Sequence, residues 1–232
     1  MRIRAFTDDD VELLAGLARD PRVVRYVGDG RPWPDHRVAE RARQALNPGA
    51  WGEPGRERWG IVWCDGLPDP AAADSSTRKA GEAREEPQPE RIGLCVAKFG
   101  AAYSRTTPRS GLAGPSERGT AVGPGRGSGD ATVEDAIEIG YWLDPDYWGR
   151  RLARPMVAAV VDWVEAGLQR AGLPPADLVA RIQPSNQASA ATVRRLGFEP
   201  VLRAEGPYGV DVFVRSAAAP VRARGAETAP LS

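Results

Sequence analysis

The stretch from Ala136 to Gly172 leaves this chain the fewest structural options. Ala136–Leu143 is a mostly apolar run of strand length. A short segment holding Asp144, Pro145 and Asp146 follows, and then Gly149 to Ala171 carries Leu152, Met156, Ala159, Val160 and Trp163 at helical spacing, with Gly172 as a stop. A strand that feeds a long one-sided helix through so short a loop calls for a sheet with that helix packed against it. Such a junction also exposes the first N–H groups of the helix and the positive end of its dipole, which together make an anion site. Arg150, Arg151 and Arg154 stand at that end. Positive side chains there are unfavourable for the helix itself. A bound pyrophosphate would account for them; solvated arginines on a plain connection are the alternative reading.

The rest of the chain supplies more strands and helices. Arg2 to Phe6 alternates as a first strand, and Thr7 is placed to cap a helix that opens with Asp8, Asp9 and Asp10 and ends at Asp20-Pro21. A second helix is expected from about Pro34-Asp35 to Leu46, and a strand from Trp59 to Cys64. Ile92 to Phe99 and Leu178 to Ile182 read as strands, Asn186 to Leu196 as a short helix, and Val201 to Arg203 and Val210 to Val214 as final strands. The order is strand, two helices, three strands, helix, strand, helix, two strands. That order predicts an α/β (α+β) fold, with a mixed sheet and helices on both faces. Residues 67–90 and 104–130 are rich in Pro, Gly, Ser and charged residues without apolar periodicity and are expected to be disordered inserts in one domain spanning 1–215, with 216–232 a loose tail.

Composition narrows the function. Basic and acidic residues balance at 31 each, which speaks against electrostatic capture of nucleic acid or an anionic membrane. Two cysteines and one histidine are too few for a zinc site, so no metal is expected. Neither a signal peptide nor an apolar run of spanning length is seen, and the expected compartment is the cytoplasm.

A second segment, residues 179–201, places Asn186 after a strand as a helix cap, Ser189 three residues on, and Gly197-Phe198 at the helix end. Each feature taken alone has a local reading: a cap, a helix stop, a core aromatic. Together with the first segment they resemble the acetyl-CoA site of the GNAT superfamily, and most closely its RimJ/RimL-like branch. Ile139, Gly140, Tyr141, Trp142, Leu143, Pro145, Tyr147, Trp148, Gly149 and Ala153 match the branch's first signature, and Asn186, Ser189, Leu196, Gly197 and Phe198 its second. The resemblance implies a GNAT-like, mostly antiparallel sheet. It also implies acetyl-CoA as co-substrate, held by Tyr141, Trp142, Leu143, Gly149, Arg150, Arg151, Leu152, Ala153, Arg154 and Asn186. Two departures stand out: Arg151 occupies the place of the first glycine in the pyrophosphate loop, and Val193 that of a tyrosine that many members use as general acid.

The implied reaction is direct acetyl transfer to an amine, either a peptide N-terminus or a small molecule. Glu138, on the strand leading into the loop, is the candidate base. The backbone N–H near Leu143 is the candidate oxyanion donor, and Ser189 the candidate proton donor to the thiolate. Tyr26, Trp33 and Trp51 are the candidates to line the acceptor side. A monomer or a homodimer is expected. A catalytically silent acyl-CoA-binding module with the same fold is the alternative.

Overall fold

A computed structural model describes residues 1–66, 89–106, 130–202 and 209–217. The strands are β1 (Arg2–Ala5), β2 (Glu57–Cys64), β3 (Glu90–Thr106), β4 (Asp130–Leu143), β5 (Leu178–Ile182), β6 (Glu199–Leu202) and β7 (Asp211–Arg215). They form one seven-stranded sheet in the order β1-β2-β3-β4-β5-β7-β6. Every neighbouring pair is antiparallel except β4 and β5. Five α-helices accompany the sheet: α1 (Val11–Arg19), α2 (Pro21–Val24), α3 (Asp35–Leu46), α4 (Ala153–Arg170) and α5 (Gln187–Arg194). This is the mixed, mostly antiparallel sheet with helices on both faces that the resemblance implies.

Side-chain alternation along the strands divides the core between two faces. On one face Ile137 and Ile139 of β4 and Leu178, Ala180 and Ile182 of β5 pack with Met156, Val157, Val160, Val161, Val164 and Leu168 of α4. Burying each such aliphatic side chain contributes about 1.5–3 kcal/mol, so α4 is held by its apolar stripe and not by its caps. On the other face Trp59, Ile61 and Leu94 meet Leu14 and Leu17 of α1 and Ala42 and Ala45 of α3, with Trp142 packed beside them.

The structure corrects several expected boundaries. α4 begins at Ala153 and not at Gly149, because Gly149 (φ 77°) and Arg151 (φ 59°) both lie in the left-handed region that a right-handed helix excludes. β3 and β4 are longer than their apolar patterns: a bulge after Phe99 lets their pairing continue to Thr106 and Asp130. Glu90, Ser104–Thr106 and Asp130 therefore belong to strands, while 67–88 and 107–129 lie outside the described residues, as does most of the expected tail. Asp20-Pro21 ends α1 as expected and at once starts α2, where the Asp20 carboxylate accepts from Arg22 N–H at 2.8 Å.

The entry to α1 is closed by its own side chains. Asp10, fully buried, accepts from the Arg4 guanidinium at 2.7 and 2.8 Å, from Thr7 N–H at 2.8 Å and from the Thr7 hydroxyl at 2.9 Å. Burial pushes its carboxyl up, but the hydrogen bonds from Arg4 and Thr7 and the Arg4 charge together hold it below the ordinary carboxylate range.

Candidate functional site

β4 and β5 pair only at Ile137↔Leu178 and Glu138↔Val179. Beyond that point they part, and the opening between them is the core of a cleft of about 1130 Å³. Backbone alternation shows what faces it. Asp144 N–H donates to Ile92 O on β3 at 2.9 Å, whereas Ile137 N–H donates to Asp177 O, before β5, at 2.9 Å. Counting by twos from each, the N–H groups of Tyr141 and Leu143 point toward the β5 side, past the last paired residues. Leu143 thus presents a backbone donor to the opening.

Side chains bridge the same opening. The hydroxyls of Tyr141 on β4 and Ser189 on α5 share a hydrogen bond of 2.5 Å. Burial pushes the Tyr141 phenol up, so it stays protonated. Asn186 lines the cleft, and its Oδ1 caps α5 by accepting from Ser189 N–H at 3.2 Å. Val193 is fully buried in the core, so the position lacking the family tyrosine does not reach the cleft as a polar group.

The β4-to-α4 loop forms one end of the cleft. Asp144 accepts from Asp146 N–H at 3.0 Å and opens a single 3₁₀ turn, Pro145–Tyr147. Trp148 Nε1–H then donates to Leu143 O at 2.8 Å, tying the loop back to the strand end. The Tyr147 hydroxyl donates to Glu90 at 2.7 Å; burial and that carboxylate push its phenol up to about 12. Gly149, Arg151, Leu152 and Ala153 line the cleft, and α4 starts with no side-chain cap and no acidic residue in its first turn. Arg150 instead stacks over the Tyr147 ring at 5.3 Å, and neither it nor Arg154 lines the cleft.

The other end lies against α2 and α3. Trp33 packs edge-on against Trp142 with ring centres 5.1 Å apart, and Tyr26 lies beneath the Arg25 guanidinium at 4.4 Å. Tyr26, Trp33 and Trp142 all line the cleft. Trp51 does not. It sits on the α4 face between Phe99 and Trp163, against Gly167, where a Cβ would lie 2.2 Å from the indole. A glycine in α4 gives that ring its place, so Trp51 is a packing residue.

Glu138 does line the cleft, and it accepts from Arg181 Nε at 3.0 Å. Across the sheet its antiparallel neighbour is Lys98 on β3, whose own neighbour on β2 is Glu57. Glu57 in turn binds Arg41 of α3 at 3.0 Å. Lys98, Glu57 and Arg181 escaped the sequence reading because only strand register brings them into one row with Glu138, and Arg41 because it joins that row from α3 through Glu57.

Cys64 and Cys95 are both buried, and burial pushes the Cys95 thiol far up. Among the described residues no group of His, Cys, Asp and Glu side chains forms a metal set. No helix among them is long and apolar enough to cross a membrane.

The acetyltransferase (GNAT) domain family matches residues 1–199. No curated protein sequence matches the chain. Among solved structures, AAC(6')-Ib in complex with ribostamycin and coenzyme A is 16% identical, with 97% of this chain and 98% of that one covered at a TM-score of 0.57. The spermidine N-acetyltransferase from Vibrio cholerae in complex with CoA and spermine is 12% identical, with 91% of each chain covered at a TM-score of 0.51. A domain from Methanocaldococcus jannaschii is 16% identical, with 92% of this chain and 96% of that one covered at a TM-score of 0.52.

Proposed function

The chain belongs to the acetyltransferase (GNAT) domain family, and on that premise we propose that it transfers an acetyl group from acetyl-CoA directly to an amine. The observation that carries this reading is the parting of β4 from β5 beside an uncapped helix start. Together they offer an extended slot with backbone donors along one wall and an anion site at its end. The residues present fit the co-substrate. The N–H groups at Gly149–Ala153 and the Arg151 charge suit the pyrophosphate; Tyr141, Leu143 and Asn186 line the path of the pantetheine arm, while the Trp142 indole lies at the other end against Trp33 and Trp59. Arg150 and Arg154 are assigned at most a long-range attraction. The amines in the complexes of two structural neighbours, ribostamycin and spermine, support an amine as acceptor. The two signatures around Gly140 and Asn186 support the RimJ/RimL-like branch.

The reaction follows from the groups that meet in the cleft. The neutral amine attacks the thioester carbon; the N–C bond forms as the C–S bond breaks. Negative charge gathering on the carbonyl oxygen is met by Leu143 N–H. Glu138, oriented by Arg181, accepts the proton that the nitrogen loses. The departing thiolate takes a proton from Ser189, which draws one from the Tyr141 phenol behind it; water reprotonates the phenol and takes the proton from Glu138 before the next turnover. With Val193 buried, this hydroxyl pair is the nearest replacement for the missing tyrosine.

The test is thiol release from acetyl-CoA over a panel of amines. Glu138→Gln is expected to keep acetyl-CoA affinity and lower turnover by about 10²–10⁴-fold, the loss shrinking at high pH where the amine is already neutral. Ser189→Ala is expected to lose less, since water can replace a hydroxyl donor. Equal rates for Glu138→Gln and the parent protein at every pH would remove Glu138 from the mechanism. Tight acetyl-CoA binding with no turnover on any amine would establish a silent binding module instead.

A further inference from the structure

The charge of the cleft goes beyond that reading and says what kind of amine it takes. Among the described residues, seven basic side chains line the cleft and only two acidic ones, Glu57 and Glu138. Of the basic ones, Arg22 is bound to Asp20 at 2.5 Å, and Arg151 lies on the loop assigned to the pyrophosphate. The other five stand on the acceptor side, and both carboxylates there are already engaged. Glu57 binds Arg41 and Glu138 binds Arg181, each at 3.0 Å.

Lys98 stands between them. The register Glu57↔Lys98↔Glu138 puts the three on adjacent strands and on one sheet face. The row thus runs Arg41, Glu57, Lys98, Glu138, Arg181, with a net positive charge and an exposed lysine in its middle. Lys98 makes no ion pair among the described residues. One helical turn before Arg41, the Arg37 guanidinium stands over Trp33 at 4.3 Å. Its guanidinium also pairs with Asp29 at 3.8 Å, which leaves Lys98 as the cation of the row without an ion pair among the described residues. The floor between these cations is aromatic, built from Trp142, Trp33 and Tyr26.

We propose that the acceptor is an amine that also carries a carboxylate, with the carboxylate read by Lys98 while the amine lies at Glu138. A polycationic acceptor would bring further positive charge against a net positive row whose two carboxylates, Glu57 and Glu138, are already paired. An anionic group meets the exposed Lys98 ammonium, which makes no ion pair among the described residues, and a charge-assisted bond of this kind is roughly twice as strong as a neutral one. This inference rests on the acetyltransferase reading.

The experiment measures kcat/KM by thiol release for matched acceptors with similar amines. The small-molecule pair is 6-aminohexanoate and its amide. The peptide set is Ala-Glu-Ala, Ala-Gln-Ala and Ala-Lys-Ala, all C-terminally amidated, and spermidine is the polycation. The carboxylate member of at least one set should exceed its neutral partner and spermidine by about tenfold or more, and which set shows the gap tells a free amino acid from a peptide. Lys98→Glu should abolish or reverse the gap while acetyl-CoA binding by calorimetry is retained. Lys98→Gln, which carries no new charge, should shrink it. Faster turnover of spermidine or Ala-Lys-Ala than of the carboxylate acceptors would overturn the inference and leave the acetyltransferase reading standing, and so would a gap that survives both Lys98 variants. Thiol release with no acceptor of either charge would remove both.

Discussion

Two strand-to-helix junctions of this molecule solve the same problem in opposite ways. Where β1 meets α1, the exposed N–H groups and the helix dipole are met from within the chain: Asp8, Asp9 and Asp10 crowd the first turn, and the buried Asp10 ties Thr7 and Arg4 to it. Where β4 meets α4, no side chain caps the helix, the first turn has no acid, and arginines stand where acids would be favourable. The first junction is electrostatically complete and carries stability. The second is incomplete, strained at Arg151, and open to the cleft. A helix start left uncapped and ringed with positive charge has its counter-ion outside the chain. Substitutions at the first junction should therefore change stability and leave ligand affinity alone, and those at the second should do the reverse.

The largest effect is expected at the first. Asp10→Ala removes a fully buried carboxylate that accepts from Arg4 and Thr7, and should lower unfolding free energy by about 2–4 kcal/mol. The sign with pH is fixed by the direction of its shift. The native carboxyl lies below its ordinary value, so the stability it supplies is complete above about pH 4, the unfolded range, and fades as pH falls through the lower native value. Urea unfolding of both proteins at pH 7 and at pH 3 checks this: the gap between them should narrow at the lower pH. A gap that widens there would mean that Asp10 is not the group holding the junction.

Gly149→Asp tests the second junction from the opposite side. Gly149 lines the cleft at φ 77°, with nothing within 4 Å of a Cβ built there, so a side chain meets open space and the change acts chiefly through charge and backbone preference. A carboxylate against the pyrophosphate site should weaken acetyl-CoA binding by well over tenfold in calorimetry, with a melting temperature that falls far less than that of Asp10→Ala. If the affinity holds, the anion site lies elsewhere and the contrast between the junctions loses its meaning.

The difference between the junctions was only partly legible in the sequence. The acids after Thr7 and the arginines after Trp148 could be read directly, because local charge and capping patterns are near in sequence. What Asp10 does with its carboxylate was not legible, since Arg91, a further partner at 3.4 Å, comes from β3. The same holds at the cleft. Tyr141, Leu143, Asn186 and Ser189, which line the cleft, were legible as candidates because two short segments hold them in order. Lys98 and Arg181 were not, because their place beside Glu138 exists only once three strands are in register. The place of Trp51 outside the cleft lining was not legible for a related reason: it precedes β2 by a few residues, and nothing local says which face of the sheet its loop crosses.

The smallest effect is the most informative about Arg151. It is the only non-glycine with positive φ among the described residues, at 59°, in the place where the family pattern has glycine. Holding an L-residue left-handed costs roughly 1–2 kcal/mol, while glycine there would cost about 0.5–1 kcal/mol of extra chain entropy. Arg151→Gly should thus stabilise the protein by less than about 1 kcal/mol, a rise in melting temperature of a few degrees at most. If strain were all, the arginine would be a neutral passenger and acetyl-CoA affinity would hold or improve. The open junction argues otherwise: Arg151 lines the cleft, and its guanidinium supplies the counter-charge that a capped helix start would not need. Arg151→Gly should therefore weaken acetyl-CoA binding by about threefold to tenfold even as it stabilises the fold, and the loss should shrink at high salt, where exposed charges are screened. Calorimetry at low and high ionic strength, beside a thermal melt, separates the outcomes. A more stable protein with unchanged affinity at both salt concentrations would show that the side chain plays no part in binding, and that the backbone N–H groups of the uncapped helix hold the phosphates alone.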